Sequence, residues 1–440
     1  LQPSFPNERI DKFVTPANRF IHTEASSGVV LLLTAVAALI AANSIIGPQF
    51  ESFWTTPVGV RFNGFVWEHP LHHWINDGLM TLFFFVVGLE IKREIVSGEL
   101  SKKGAIVLPV VAALGGMVVP AIIYLSIAPH APAGWGTVVA TDIAFVVGCM
   151  ALLGKRIPDS LRVLVLALAI IDDIGAILVI GVAYSHGFYL VPFLLALAGL
   201  GVTALMQWLG IRPVAAYWVV GILTWVAMHQ SGIHPTIAGV ALGLMTPVRP
   251  WVDETRFDHF LAWAKEAIGP ADVAPNPESE YVRRAVARAA RESISPQRRL
   301  ENSVHPWSAF VVLPIFALAN AGVVIAAVDP TDEITIGIIA GLAIGKPIGI
   351  LAFSWLAVTL GIARKPDDVG WPHLFGAGML AGIGFTMSLF IANLAFTGTQ
   401  LELAKFGILA ASVISGLAGM AMLFLVTAGG RSRREEESGA

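Results

Sequence analysis

The sequence predicts an all-α, polytopic membrane protein, and three observations carry that expectation. Of its 440 residues 55% are apolar and only 13% charged, against about 25% charged in an average soluble protein; mean hydropathy is +0.73. The apolar residues come in long runs, several of about 20 residues or more, the length a helix needs to cross a hydrocarbon core about 30 Å thick. Lysines and arginines collect in alternate connections between those runs, the bias that orients membrane proteins.

Twelve spans are expected, at 27–47, 71–96, 105–128, 134–153, 161–184, 190–210, 213–229, 234–247, 306–327, 334–359, 372–396 and 403–427. Spans seven and eight are short, the eighth pinned between Pro235 and Pro247. With the N-terminus in the cytoplasm, all but three of the 28 Lys and Arg fall inside. Arg61 and Lys405 fall outside, and Lys346 falls within a span. The chain then divides into a cytoplasmic N-terminus (1–26), spans one to eight (27–247), a cytoplasmic loop with an insert (248–305), spans nine to twelve (306–427) and a cytoplasmic tail (428–440). The first twenty-odd residues are polar with no separate short apolar segment, so no cleaved signal peptide is expected. Cys149 is the single cysteine, which excludes an intrachain disulfide. No basic, aromatic-interleaved motif points to nucleic acid.

The fifth span is apolar on every side, yet Asp172 and Asp173 sit at its middle. A helix over 161–184 is about 36 Å long at 1.5 Å per residue, so both carboxyls lie far from water. A carboxylate there costs on the order of 3 kcal/mol by insertion scales. Two adjacent acids at that depth point to function; the plainer alternative is a cap or a pairing with a neighbouring helix. Lys346, in Gly-Lys-Pro-Ile-Gly of the tenth span, is the one lysine expected within the core. A carboxylate partner is the economical answer to its charge, and Asp172 and Asp173 are the candidates.

Thr141 and Asp142 lie inside the fourth span, after the breaker-rich run Ala131-Pro-Ala-Gly-Trp-Gly-Thr. An interruption near Thr141 is expected. It would expose backbone groups, tolerated at membrane depth only where protein or a wet cavity answers them. Asp142 would then meet free N–H groups at the positive end of a half-helix, or simply cap an interfacial helix. In span eleven, Gly376-Ala-Gly-Met-Leu-Ala-Gly382-Ile-Gly384 either packs helices closely or breaks one. Spans three to five and ten to twelve share an order: a Gly/Pro-bearing helix, an interrupted one, a regular one. Matching weak points in two halves are the best sequence pointer to a transport site. Asp77 lies in the outer third of span two. Glu90, Arg93 and Glu94 crowd its inner end on adjoining faces, either as a charged mouth or as an interfacial ion-pair cluster.

Two connections carry signals. Residues 56–68 hold alternating residues around Asn63-Gly64, a hairpin signal; a lone two-stranded ribbon has free edges that suit a second copy, the alternative being a folded-back loop. Within 248–305, residues 278–293 read as a helix with acids first and arginines later, after a linker over 269–277.

Taken together, Ala169-Ile-Ile-Asp-Asp-Ile-Gly-Ala-Ile, Ala140-Thr-Asp-Ile-Ala-Phe, Gly88-Leu-Glu-Ile-Lys-Arg-Glu94, Gly345-Lys-Pro-Ile-Gly and Gly382-Ile-Gly-Phe-Thr-Met-Ser resemble the NhaA-type sodium/proton antiporters. The resemblance runs in order from about Arg19 to Thr427. It implies a bacterial inner-membrane secondary transporter, not an enzyme. It also implies twelve helices with an inverted repeat (spans 3–5 and 10–12), and helices 4 and 11 interrupted and crossing. By motif match, Asp173 is the cation-binding aspartate, Asp172 the adjacent essential aspartate that pairs with Lys346, and Thr141 a cation ligand. Asp142 and Lys346 compensate charge. Glu90, Arg93, Glu94, Glu301 and His234 match positions tied to pH regulation, with Asp77 accessory. The resemblance further implies exchange of Na+ or Li+ for protons with no cofactor, and a homodimer formed through the outer hairpin. The long insert before Arg299-Leu-Glu-Asn departs from the family pattern beside Glu301.

Elementary chemistry gives the resemblance a mechanism. Sodium and lithium are hard cations that, like calcium, prefer oxygen ligands. A carboxylate holds either a proton or such a cation, so competition for one site yields exchange if the empty charged site rarely crosses. Burial, a like charge next door and a lysine partner act on a carboxyl's proton affinity in opposing senses, so Asp172, Asp173 and Lys346 are expected to titrate as a coupled set. Two other classes use similar parts. A sodium-coupled organic-anion carrier is disfavoured by the paired aspartates. An intramembrane aspartyl protease typically presents Gly-x-Gly-Asp, which neither Asp142 nor Asp173 has.

Overall fold

Long apolar stretches with few charges fold as helices because only intrasegment hydrogen bonds satisfy the backbone away from water. The computed structural model describes residues 24–62, 65–101, 104, 106–185, 187–268 and 277–438. In order, these residues form α1 (Glu24–Ala42), α2 (Gly47–Thr55), the strands β1 (Pro57–Phe62) and β2 (Phe65–Pro70), and α3 (71–97). Next come α4 (Val107–Ile127), the broken α5 (Pro132–Leu153), α6 (Asp159–Ala183), α7 (Leu190–Trp208), α8 (Val214–Gln230) and α9 (Thr236–Met245). The polar helices α10 (Glu254–Ile268) and α11 (Pro277–Glu292) precede α12 (Pro296–Asn320), α13 (Glu333–Thr359), α14 (Trp371–Ala381), α15 (Phe385–Ala395) and α16 (Gly398–Ser438).

Seven of these helices are long and apolar enough to cross a membrane, or up to nine if each bent pair is one span. Large apolar side chains face outward on them, among them Leu33, Leu178, Val182, Leu195 and Leu417. Outward apolar faces around a packed interior are what a lipid-exposed bundle requires. The chain is therefore a multi-pass membrane protein.

Several expected boundaries shift. The first span closes at Ala42, and a second short helix, α2, follows at a bend of 112°. The helix holding the ninth expected span starts at Pro296. Ser295 caps it by accepting from the Arg298 N–H at 3.2 Å, with Pro296 at its first position. Hydropathy cannot see that start because the first turns are polar. The last helix runs on to Ser438. The strands pair antiparallel from Pro57↔Pro70 to Phe62↔Phe65, so the hairpin forms; the predicted Asn63-Gly64 turn lies outside the described residues, as do 1–23 and the 269–276 part of the linker.

Two features position the site. The first is the crossing of α4 and α13, where small residues let backbones touch. A methyl group on Gly115 would stand 2.2 Å from the Gly349 carbonyl oxygen, and one on Gly349 would stand 2.1 Å from that of Gly115. The crossing sets the face of α13 that carries Lys346. Just before Lys346, residues 340–345 widen into a π-helical turn, a bulge often found at functional positions. The second feature is a pair of buried tyrosines that hold the first half of α5, a 3-10 segment over Pro132–Val138. Tyr124 donates to the Ala131 carbonyl at 2.8 Å. The Tyr184 hydroxyl accepts from the Gly136 N–H at 3.2 Å and donates to the Ala133 carbonyl. A side chain at Gly134 or Gly136 would strike one tyrosine or the other.

Overpacking a tight contact typically costs about 1–3 kcal/mol. Gly115→Ala is therefore expected to lower the melting temperature in detergent by several degrees, and an unchanged melt would contradict the close crossing.

Candidate functional site

The site grows from two helix breaks laid against each other. In α5 the helix stops after Val138 and resumes at Ile143. Between α14 and α15 it stops at Ala381 and resumes at Phe385, with a bend of 47°. The glycines of Gly382-Ile-Gly384 thus lie in a break. Among the groups these breaks free, the Asp142 N–H donates to the Ile383 carbonyl at 2.7 Å. The Thr141 hydroxyl lies 2.9 Å from the Ala381 carbonyl oxygen.

Asp142 joins the starts of two half-helices. It caps the second half of α5, one oxygen accepting from the Phe145 N–H at 3.3 Å. The other accepts from the Thr386 N–H at 3.1 Å and from the Thr386 hydroxyl. Two positive helix ends meeting at one point need a negative charge between them, and Asp142, 2% exposed, supplies it.

Asp172 and Lys346 form the other half. Both side chains are fully buried, with Lys346 Nζ 3.2 Å from Asp172 Oδ2. Lys346 also donates to the Val139 carbonyl, freed by the α5 break, at 2.6 Å. Asp172 Oδ2 accepts from the Thr141 hydroxyl at 2.6 Å. Its second oxygen, Oδ1, is buried with no hydrogen-bond partner among the described residues. Asp173 is buried next door, within electrostatic reach of Glu90, Asp172, Asp142 and Lys346. Among the described residues it has no salt-bridge partner. Three acids, one lysine, a hydroxyl and the backbone carbonyls of the breaks make a buried, oxygen-rich cluster.

The pH-regulation candidates Glu90, Arg93, Glu94 and Glu301 also assemble, around one end of α3. Arg93 bridges Glu301, 7% exposed, and lies 3.4 Å from Glu94. His305 lies 3.8 Å from Glu90. Gln297, which sequence reading missed, donates to Glu301 at 2.6 Å and to the Leu89 carbonyl at 3.2 Å. His234 does not join this group. It bonds Thr236 at 2.7 Å and stands 3.9 Å from Asp77, and Asp77 is about 20 Å from Glu90 along α3 at 1.5 Å per residue. Thr386 and the Val139 carbonyl were likewise missed. The Gly-Ile-Gly break just before Thr386 was the available signal for the first; a backbone carbonyl leaves none.

A buried acid–lysine pair at the meeting of two helix breaks, inside a multi-pass bundle, defines a polytopic secondary carrier for a small cation. The comparisons with known proteins agree. A family model described as Na+/H+ antiporter 1 matches residues 18–423. The Na(+)/H(+) antiporter NhaA of Rhodopirellula baltica is 48% identical, over 95% of this chain and 96% of its own. NhaA 2 of Vibrio vulnificus is 44% identical, over 98% and 96%, and NhaA of Rhizobium meliloti 45%, over 97% and 98%. The chain belongs to the Na+/H+ antiporter 1 family.

Removing one partner of a buried ion pair strands the other charge, typically at about 3–5 kcal/mol. Lys346→Gln is expected to destabilise the folded protein strongly, and Asp172→Asn added to it to recover part of the loss. A double-mutant cycle on thermal unfolding reads this, and additive effects would contradict the pairing.

Proposed function

We propose that the chain exchanges cytoplasmic Na+ or Li+ for external protons by competition at the buried aspartates. One observation carries the reading: Asp173 is buried with no salt-bridge partner among the described residues, directly beside an acid already held by a lysine and a threonine. In the proton-loaded state Asp173 holds a proton and Asp172 is paired with Lys346. The cation displaces that proton and takes oxygen from Asp173, Asp172 and Thr141. Asp172 then gives up its bond to Lys346, and the stranded lysine releases a proton of its own. More than one proton therefore leaves per cation, so the cycle is electrogenic. Asp142 keeps the paired helix starts neutral while the site's charge changes.

The wider reading is of twelve crossings arranged as an inverted repeat, with both termini in the cytoplasm and the protein in a bacterial inner membrane. The charge bias of the connections supports it, as does the matching order of α4, broken α5 and α6 with α13, broken α14–α15 and α16. Rocking of one repeat against the rest switches access. Glu90, Arg93, Glu94 and Glu301 adjust activity to pH at one end, and His234, which stands beside Asp77, at the other. Two chains pair through the hairpin, whose two-stranded sheet has no third strand among the described residues.

Asp173→Asn is expected to abolish sodium-driven proton movement in reconstituted vesicles while the protein still folds; normal exchange by that variant would end the proposal. Replacing residues 57–70 with a short Gly/Ser linker is expected to shift the detergent-solubilised protein from dimer to monomer by light scattering. A dimer that survives the deletion would reject the hairpin as the interface.

A further inference from the structure

At the hairpin end of the bundle, away from the aspartates, the chain gathers a second set of ligating groups. His69 lies in β2, His73 opens α3 and His229 lies in the last turn of α8. One ring nitrogen from each stands within 4.8 Å of the other two. His73 Nε2 faces His229 Nε2 at 3.2 Å. Asp77, one turn on from His73, points the same oxygen at both: Oδ2 is 3.4 Å from His73 Nε2 and 3.7 Å from His229 Nε2.

Ligand atoms bound to zinc at about 2.0–2.1 Å in a tetrahedron stand roughly 3.4 Å from one another. The spacings among His73, His229 and Asp77 lie close to that edge, and His69 approaches from the side. Its ring stacks on that of His73, with centroids 4.3 Å apart. The groups are partly exposed and His73, Asp77 and His229 line a cavity of about 550 Å3, so an ion can reach them.

The donor set also selects the ion. Imidazole nitrogen with one carboxylate suits zinc and its neighbours, whereas alkali cations favour oxygen alone. The site is thus distinct in chemistry from the pocket around Asp172 and Asp173. It draws its ligands from the ribbon, from α3 and from α8, so a bound ion would tie the hairpin to the ends of two helices.

We propose that His69, His73 and His229, with Asp77 as fourth ligand, bind a divalent transition-metal ion of the zinc class that is not transported. The proposal does not rest on the exchange mechanism. The test uses full-length protein without a polyhistidine tag, stripped with EDTA in detergent and titrated with zinc chloride by calorimetry. We expect one Zn2+ per chain that is lost from His73→Gln and His229→Gln, each weakening affinity at least tenfold. Zinc-edge X-ray absorption of the unaltered protein, which needs no variant to fold, should show a four-ligand shell at about 2.0–2.1 Å with several imidazoles. No zinc uptake, equal affinity in the variants, or a shell without imidazole would each overturn the site.

Discussion

The ion pair between Asp172 and Lys346 is the constraint to which the surrounding structure answers. Two opposite charges with fully buried side chains, 3.2 Å apart, persist only with good geometry and further hydrogen bonds. Those bonds come from unusual places. Lys346 takes the Val139 carbonyl and Asp172 takes the Thr141 hydroxyl, and both partners lie in the break of α5. A continuous helix would have kept that carbonyl within its own ladder. The break is therefore part of the ion pair's support.

The break in turn has its own supports. Tyr124 and Tyr184 bond the 3-10 half of α5, and Asp142 stands between the starts of the two resumed helices. The α4–α13 crossing at Gly115 and Gly349 sets the height of Lys346. Each support is local, but together they place four ionisable groups near one point with few alternatives open to any of them. Among the described residues Asp173 alone of the four has neither a salt bridge nor a helix end, which supports its proposed place as the group that meets the arriving cation.

Much of this was legible in the sequence for a simple reason. Charges within apolar runs are conspicuous, so Asp142, Asp172, Asp173 and Lys346 stood out without a structure, and breaker residues marked the interruption of α5. Hydropathy failed where helices are polar: α10 and the first turns of α12 carry no apolar run, although Ser295-Pro296 offered a capping signal. It also could not separate the two readings of Gly382-Ile-Gly384, because close packing and a break use the same residue. Thr386, Gln297 and the Val139 carbonyl escaped because their roles depend on contacts between distant segments. The role given to His234 came from motif likeness alone, and it stands beside Asp77, far along α3 from Glu90 and Glu301.

The most direct test is proton release from purified, detergent-solubilised protein on adding Na+ or Li+ at fixed pH in weak buffer. The account predicts release by the unaltered protein that is lost in Asp173→Asn and reduced in Asp172→Asn. Undiminished release from Asp173→Asn, or none from the unaltered protein at any pH, would contradict it.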